Sequence, residues 1–175
     1  MKKHLIAISA AFLLVAGCAS TMTQDIKVRT ETDPKANLAG YSSYTWLGSA
    51  RIVYDPEGQW EPPEFDADAE IRFLIDRELR EHGMTEASSS PDLIVAYAAG
   101  IDMATMEIKT DPESKLETLE NVPKGALSVI LIDAQTGFAI WGGVATGDIK
   151  QDPDQEVTRQ RLDYAVTSMF KQLKK

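Results

Sequence analysis

The sequence predicts an α+β domain in which two helices pack against a mostly antiparallel sheet of about five strands, in the order β-β-α-β-β-β-α. Residues 66–82 and 152–173 each carry one apolar stripe with helical spacing, which predicts the two helices. The outer strands alternate apolar and polar residues, whereas the inner ones are apolar on both sides. A sheet covered by both helices buries the apolar stripe of each helix and the apolar face of the strands.

Two short strands open the domain. Residues 26–32 alternate apolar or threonine side chains with charged ones, a pattern typical of a half-buried strand. Residues 44–47 alternate aromatic and smaller side chains, and they indicate a second strand after a turn near Gly40.

The first helix is predicted from about Asp66 to His82. Asp66 is a suitable N-cap, and Gly83 is a suitable left-handed stop that lets Met84 pack back on the last turn. Glu78 and His82 also fall on the apolar face, at i, i+4 spacing. They form either a partly buried acid–base pair or, as we favour, the solvated rim of that face with His82 near the C-terminal carbonyls.

Three strands are predicted between the two helices. Residues 92–103 are apolar on both sides at their start and indicate a central strand. Residues 110–124 are charged, contain two prolines and are interpreted as a loop with at most one short helical turn. Residues 125–133 and 138–146 predict a hairpin whose tight turn has Gly137 available for a positive φ.

The last helix is predicted to begin with Asp152 as N-cap, Pro153 at the first helical position and Gln155 closing a capping box. Its apolar face comprises Leu162, Ala165, Val166, Met169, Phe170 and Leu173. Lysines near its end suit the negative end of the helix dipole.

The N-terminus has the plan of a secretory signal peptide. Residues 1–4 are cationic, residues 5–15 form an uncharged and mostly apolar run, and small residues lead to Cys18. The apolar run is too short for a stable bilayer span, which needs about 20 residues, so a membrane-anchor helix is the lesser alternative.

The residues Val15-Ala16-Gly17-Cys18 resemble the lipobox of bacterial lipoproteins. The resemblance implies that the Cys18 sulfur receives a diacylglycerol, that the signal is cut between Gly17 and Cys18, and that the new amino terminus is acylated. Three acyl chains exceed the two signals that stable anchoring needs.

The residue after the lipidated cysteine is Ala19, which by the same resemblance implies the outer membrane, facing the periplasm, rather than retention at the inner membrane. The chain then divides into a lipoprotein signal peptide (1–17), an acylated cysteine with a short tether (18–25) and a single globular domain (26–175). Seven extended residues of tether span at most about 25 Å, which keeps the domain close to the bilayer.

The charge balance argues against a nucleic-acid partner. The 175 residues include 18 basic and 27 acidic side chains, a net charge of −9. A nucleic-acid binder needs a basic face to neutralise phosphates. Cleavage before Cys18 removes two lysines and brings the net charge to −11. We therefore expect the lipid, rather than the protein surface, to anchor the protein to the membrane.

Several blocks of the chain, taken in order, resemble one family. They are residues 41–47, 71–83, 90–97 and 125–137, followed by Trp141-Gly142-Gly143. Over about residues 26–173 the chain is similar to the bacterial lipoprotein domain of unknown function DUF4136. The family usually carries a basic residue where this chain has Gly142, so an anion contact made there by relatives does not carry over. The family has no established activity, and the resemblance implies fold and location only.

The residue inventory offers little catalytic chemistry. His82 is the one histidine outside the signal peptide, and the sequence contains neither a nucleophile elbow nor a zinc motif. The acids between residues 148 and 156 lack the spacing of a calcium loop. We therefore expect no metal and no cofactor apart from the covalent diacylglycerol and N-acyl lipid on Cys18.

The long segment 48–65 is the candidate partner surface. Tyr54, Trp60 and Phe65 stand among acidic residues and prolines, as in a rigid aromatic surface for a partner. The alternative, which we favour, is that these rings cover one end of the core.

The sequence thus indicates a lipid-anchored envelope protein that is a non-enzymatic binding or assembly factor, with an unknown envelope protein or small ligand as partner. Two alternatives stay open: a periplasmic enzyme of hydrolase type that uses acidic residues, and a structural envelope component. A deep pocket with convergent acids favours an enzyme, and a shallow aromatic face favours a binder.

Overall fold

A computed structural model of the chain describes residues 22–48, 65–102, 106–110, 117–121, 124–150 and 154–173. Its strands are β1 (Lys27–Thr32), β2 (Ser43–Trp46), β3 (Thr85–Glu86), β4 (Leu93–Asp102), β5 (Met106–Thr110), β6 (Glu117–Asn121), β7 (Lys124–Asp133) and β8 (Ala139–Asp148). Its helices are α1 (Ala67–Glu81) and α2 (Gln155–Phe170), and a 3-10 turn covers Leu38–Gly40.

The described strands form a six-stranded mixed sheet and a separate hairpin. The sheet order is β1-β8-β7-β4-β2-β3, and β5 pairs with β6. The pairs β1–β8, β8–β7 and β7–β4 are antiparallel, whereas β2 is parallel to both β4 and β3. The predicted α+β class is confirmed, with a sheet that is mixed rather than mostly antiparallel at one edge.

The parallel edge follows from the connection through α1. The chain leaves β2, passes along α1 and returns to the same end of the sheet, so β3 and β4 run in the same direction as β2. Hydrophobic periodicity reports the face of a strand and not its partner, which is why the sequence did not indicate this pairing.

The prediction of a loop over residues 110–124 was wrong for its second half. Residues 117–121 form β6, which pairs antiparallel with β5 and places Ile108 opposite Leu119. In the same ladder Glu107 stands opposite Glu120, a like-charge pair that disfavours a strand. The charged composition therefore concealed the hairpin. The two-residue β3 was also not predicted.

The predicted caps of α1 are confirmed. The Asp66 carboxylate accepts the Ala69 N–H at 2.9 Å. At the other end Gly83 has φ 70°, and the Met84 N–H donates to the Leu79 carbonyl at 2.9 Å, which is a Schellman stop. Met84 is fully buried.

The start of α2 differs from the prediction. Asp154, not Asp152, is the N-cap, because its carboxylate accepts the Val157 N–H at 2.7 Å and the helix begins at Gln155. Asp152 and Pro153 lie outside the described residues. Both aspartates suit a helix N-terminus, and the local sequence did not choose between them.

The helices pack on one face of the sheet. Within β7, Val129 and Leu131 are 0% exposed, while Ile130 between them is 39% exposed on the opposite face. The same alternation buries Ala145 of β8 and leaves Val144 43% exposed.

The contact between α2 and β8 is especially close. The Trp141 ring packs on Phe170 with centroids 5.1 Å apart. A Cβ at Gly143 would lie 2.9 Å from the Trp141 ring and 3.0 Å from the Met169 sulfur, so only glycine allows this approach. In the described part of the chain the Trp141 Nε1 has no hydrogen-bond partner.

The alternation along β7 predicts opposite outcomes for neighbouring substitutions. Leu131→Asp should abolish the cooperative unfolding transition, because an unpaired buried charge costs several kcal/mol of a total stability of about 5–15 kcal/mol. Ile130→Asp introduces the same carboxylate on the exposed face and should keep the native circular dichroism spectrum. Urea melts of the two variants check this, and equal destabilisation of both would contradict the assigned faces.

Candidate functional site

The two ends of the sheet differ in their connections. At one end, here called the tether end, β1 begins, β4 ends, β7 begins and β8 ends. In the chain, the hairpin of β5 and β6 lies between β4 and β7, which meet at this end, and residues 149–154 lead from β8 to α2. The opposite, distal end has the ten-residue connection 33–42 between β1 and β2 and the turn 134–138 between β7 and β8.

A partly buried ion pair fastens the tether to the domain. Arg161 of α2 binds Asp25 through two parallel hydrogen bonds, with Nη1–Oδ1 at 2.9 Å and Nη2–Oδ2 at 2.6 Å. Arg161 also donates to the carbonyls of Met22 and of Asp148, the latter at 3.0 Å. The Asp148 N–H donates to Asp25 at 2.7 Å. We call Asp25 and Arg161 the tether clamp.

The clamp depends on a glycine in β8. A Cβ at Gly147 would lie 2.9 Å from Arg161 Nη2 and 3.2 Å from Asp25 Oδ2. Gly147 is therefore a point of close packing between α2 and the end of β8. Only the absence of a side chain lets the ion pair lie flat on the end of β8.

The clamp stabilises the ionised form of Asp25. Burial by itself raises the pKa of this carboxyl group. The hydrogen bonds from Arg161 and the Asp148 N–H, together with the Arg161 charge, outweigh it and hold the pKa of Asp25 well below its usual range. Asp25 is therefore an anion at all physiological pH values, and the start of the domain stays fixed to α2.

Beside the clamp lies a cavity of about 100 Å³ between α2 and the ends of β7 and β8. We call it the tether cleft. The described residues that line it are Ile26, Gly125, Ala126, Leu127, Ala145, Thr146, Gly147, Asp148, Ile149, Lys150, Thr158, Arg161, Leu162 and Ala165. At about 30 Å³ for each water it has room for about three waters, and its volume is about a third of the roughly 300 Å³ of the smallest pockets that hold drug-sized ligands.

The mouth of the tether cleft is richer in cations than the chain as a whole. Lys124 Nζ binds Asp148 at 2.5 Å, and Lys150 Nζ lies 3.8 Å from Asp25, beyond hydrogen-bond distance. Of the described charged side chains, Asp148, Lys150 and Arg161 line the cleft, and Lys124 and Asp25 bind to them. Together they are three cations and two acids. This excess is notable because the whole chain carries a net charge of −9.

At the distal end, one carboxylate holds the turn before β2. Asp92 Oδ2 accepts the N–H and the hydroxyl of both Ser42 and Ser43, at 2.9–3.0 Å. The Ser42 N–H, followed by the hydroxyls of Ser43 and Ser42, lowers the pKa of Asp92 to about 2. This carboxylate therefore fixes where β2 starts relative to β4.

A second carboxylate closes the β7–β8 turn. Asp133 accepts the N–H groups of Gln135 and Thr136, at 3.0 and 2.7 Å, and the Tyr41 hydroxyl at 2.7 Å. The hydrogen bond to Asp133 raises the pKa of Tyr41 to about 12. Three of the sequence blocks that resemble DUF4136 thus meet at the distal end, where they have a structural role.

The aromatic residues of β2 bind α1. Asp76 accepts the Tyr44 hydroxyl at 2.6 Å and the Trp46 Nε1–H at 3.2 Å. The Arg72 guanidinium lies 4.7 Å from the centre of the Trp46 ring, a cation–π contact. Burial, then the bond to Asp76, raises the pKa of Tyr44. The Tyr44 phenol is therefore a structural donor.

Glu78 and His82 do not form the acid–base pair that their spacing allows. Glu78 is 4% exposed and accepts hydrogen bonds from Arg77 at 2.6 Å and Thr167 at 2.7 Å. The His82 Nδ1 lies 2.8 Å from the Glu78 backbone carbonyl instead. The favoured interpretation of a solvated rim was wrong for Glu78, because α2 covers this end of the face.

Most of the predicted site residues fall outside the described part of the chain. This holds for Gly17 and Cys18 of the lipobox and for Tyr54 and Trp60 of the candidate partner surface. Phe65 is described: it is 7% exposed and belongs to the core, so the favoured alternative of core cover is confirmed for this ring, and its candidate place in a partner surface was wrong. Its ring packs under Arg159, whose guanidinium lies 5.5 Å from the ring centre.

The described residues contain no group of three or more His, Cys, Asp or Glu placed to hold a metal ion. Of the acids between 148 and 156, Asp148 binds Lys124 and Asp154 caps α2. Likewise, no helix in the described ranges has the length and apolar character needed to cross a membrane.

Sequence reasoning missed the clamp and the cleft. Asp25 and Arg161 are 136 residues apart in the chain, and neither stands in a recognisable motif. A signal that could have pointed to this site is Gly147, because a glycine in a strand often marks a close approach of other groups.

Comparisons with known proteins agree with this fold. The family model described as "Domain of unknown function (DUF4136)" matches residues 28–173. The search of curated proteins finds no significant match. Among solved structures, a DUF4136 family protein from Bacteroides thetaiotaomicron VPI-5482 is 14% identical, with 85% of this chain and 96% of that chain covered and a TM-score of 0.55.

Two further structures are similar to this chain. A PDZ domain protein from Parabacteroides distasonis ATCC 8503 is 12% identical with a TM-score of 0.53; 90% of this chain is covered, but only 39% of that longer protein. A PelC dodecamer from Paraburkholderia phytofirmans is 14% identical, with 82% of this chain and 97% of that chain covered and a TM-score of 0.44.

The hydrogen bonds to Asp92 predict a pH-dependent stability. The pKa of Asp92 is about 2 in the folded chain and about 3.9 in an unfolded one. Its stabilisation is thus complete above about pH 4 and is lost as the pH falls towards 2. Asp92→Asn should be less stable than wild type at pH 7, and the gap should narrow between pH 5 and pH 2.

Urea unfolding midpoints measured across this pH range check the Asp92 prediction. Glu31→Gln removes one negative charge from an exposed position in β1 and serves as the control, with a midpoint close to wild type throughout. A gap between wild type and Asp92→Asn that does not change with pH would contradict the assigned role.

Proposed function

This chain belongs to the DUF4136 family, and on that premise we propose that it is a lipid-anchored protein of the bacterial cell envelope whose domain is a non-enzymatic binding or assembly module. The Cys18 thiol first receives a diacylglycerol, the signal is then cut between Gly17 and Cys18, and the new amino terminus is acylated. The proposed location of the protein is the outer membrane, facing the periplasm, as Ala19 after the lipidated cysteine implies.

The observation that carries the proposal is the position of the tether clamp. The chain is fixed to the domain at Asp25, seven residues after the lipobox cysteine. A tether of that length spans at most about 25 Å, so an anchor at Cys18 holds the tether end of the sheet towards the membrane. The clamp then sets the orientation of the whole domain, because Arg161 belongs to α2.

The titratable groups support a binding role over catalysis. The most displaced pKa values belong to groups with structural partners, such as Asp25 in the clamp and Asp92 in the distal turn. Functional acids and bases are expected in a cleft, with a partner placed to react. In the described part of the chain, the acids near the tether cleft are paired with Arg161 and Lys124.

The candidate partner surface is the segment 49–64, which carries Tyr54 and Trp60. Rigid aromatic side chains are frequent anchors of protein interfaces.

Lipidation is tested by Cys18→Ser. The variant should accumulate as a full-length precursor without lipid, because transfer of the diacylglycerol requires the thiol. Metabolic labelling with a clickable palmitate, followed by gel fluorescence, measures it. Ser20→Ala keeps the lipobox intact and should retain the label. A label on Cys18→Ser equal to that on wild type would refute the proposed anchor.

The binding role is tested by Trp60→Ala. It should leave the melting temperature unchanged and weaken capture of the envelope partner by in vivo crosslinking, since loss of an interface aromatic costs about 2 kcal/mol or more, roughly thirtyfold in affinity. Phe65→Ala is the matched contrast. It should lower the melting temperature by several degrees, because loss of a buried aromatic costs about 3–5 kcal/mol.

Two outcomes would contradict a binding role for Trp60. If Trp60→Ala melts early like Phe65→Ala, Trp60 belongs to the core. If its melting and its crosslinks both match wild type, the partner surface lies elsewhere.

A further inference from the structure

We infer that the open edge of β1 pairs with the same edge of a second copy of this chain. The two strands run antiparallel about a two-fold axis at Thr30, and the two six-stranded sheets join into one. The inference rests on the proposed anchoring only for the local concentration that drives the pairing.

β1 is an edge strand of the described sheet. It stands at one end of the strand order and pairs on one side, with β8. The Asp33 N–H donates to the Ile140 carbonyl at 2.9 Å, so by the alternation of an antiparallel ladder the odd-numbered residues of β1 exchange their backbone hydrogen bonds with β8. The N–H and C=O groups of Val28, Thr30 and Thr32 therefore point to the open edge, where they form a template for another strand.

These backbone groups limit the ways in which two copies can pair. Two identical antiparallel strands are related by a two-fold axis at one residue, and the residues with outward N–H and C=O groups must face each other. With the axis at Thr30, this residue faces itself and Val28 faces the partner's Thr32. Three pairs within β1 then exchange two hydrogen bonds each. An axis at Arg29 or Glu31 gives only two such pairs.

The order of charges along β1 selects the same register. Lys27, Arg29, Glu31 and Asp33 alternate with the uncharged residues and are all exposed. With the axis at Thr30, Arg29 stands opposite the partner's Glu31, and Lys27 opposite the partner's Asp33. Side chains approach most closely at these positions, where opposite charges stabilise a sheet and like charges destabilise it. An axis at Arg29 would oppose two arginines, and an axis at Glu31 two glutamates.

The charged side chains of β1 are available for such a partner. Within the part of the chain that the structure describes, Lys27, Arg29 and Glu31 form no ion pair and no side-chain hydrogen bond. Charges on an edge strand commonly protect it against pairing. Here every other two-fold register brings like charges together, and one register joins opposite charges throughout. The charges thus specify a partner strand rather than exclude all of them.

The pairing is compatible with two lipid anchors in one bilayer. The two-fold axis is perpendicular to the joined sheet, so the sheet lies along the membrane surface when both copies are anchored in the same membrane. β1 is about 20 Å long, and the tether spans at most about 25 Å, so both tether ends stay within reach of the bilayer.

The contact is small and is expected to be weak in solution. Pairing along a six-residue edge of about 20 Å buries less than the about 1,200 Å² at which stable interfaces begin. Dilute protein in solution is therefore monomeric, and its unfolding midpoint does not report on this edge. Anchoring confines the copies to one surface and raises their effective concentration, which favours the pairing.

The test places a cysteine on the proposed axis. Thr30→Cys is introduced into the full chain, whose own Cys18 is blocked by lipid. Membranes from cells that express the variant are oxidised with copper phenanthroline and analysed on a non-reducing gel. Opposite residues of a hydrogen-bonded pair have Cα atoms about 5.5 Å apart, which is within disulfide range, so a covalent dimer should form.

Thr32→Cys is the matched control for chance collisions. It lies on the same strand and on the same face as Thr30, but it stands opposite the partner's Val28. The two introduced cysteines are then four positions, or about 14 Å, apart along the strands, too far for a disulfide. Thermal melts of both variants show that they fold, because Thr30→Cys also removes the hydrogen bond from Thr30 to Gln172.

Charge variants in the Thr30→Cys background test the register. Arg29→Glu turns two opposite-charge pairs into like-charge pairs and should lower the dimer yield about tenfold. Arg80→Glu makes the same change at an exposed position on α1, which packs over the other edge of the sheet, and should leave the yield unchanged. Arg29→Glu combined with Glu31→Arg exchanges the charges and should restore the yield.

Three results would overturn the inference: equal dimer yields for Thr30→Cys and Thr32→Cys, equal effects of Arg29→Glu and Arg80→Glu, or no recovery when the charges of residues 29 and 31 are exchanged. Failure of the proposed anchoring has a different signature. The protein would then be absent from the membrane fraction, and the wild type would itself form dimers through a free Cys18 thiol. In that case the same variants with Cys18→Ser, oxidised at high concentration in solution, decide whether the edges pair.

Discussion

The position of α2 against β8 is the constraint on which the rest of the structure depends. Near the distal end of the helix, Gly143 lets the strand approach Trp141 and Met169 at van der Waals distance. At its tether end, Gly147 lets Arg161 of the same helix bind Asp25 across the end of the strand. One helix therefore closes the core, fastens the tether and forms a wall of the tether cleft.

The distal end of the sheet is held by two carboxylates. Asp92 and Asp133 accept hydrogen bonds from backbone N–H groups of the turns at this end, which would otherwise lack partners within the protein.

Charge is unevenly distributed over the chain. The chain carries a net charge of −9, which would repel a surface rich in anionic lipid. The mouth of the tether cleft, with Lys124, Lys150 and Arg161 around two acids, is a local exception. These cations act only over a Debye length of about 8–10 Å, so the proposed lipid anchor, and not the surface charge, would overcome the repulsion.

The sequence by itself determined the helices, the cap at Asp66, the glycine stop at Gly83 and the buried strands, because these depend on periodicity and on groups a few residues apart. It did not determine the parallel pairing of β2, the β5–β6 hairpin or the environment of Glu78, each of which depends on a neighbour distant in the chain. The tether clamp is the extreme case. In the sequence, Asp25 and Arg161 are two charged residues that belong to no motif. Only the tertiary structure brings them together, because strand order and helix packing depend on many contacts between residues distant in the chain.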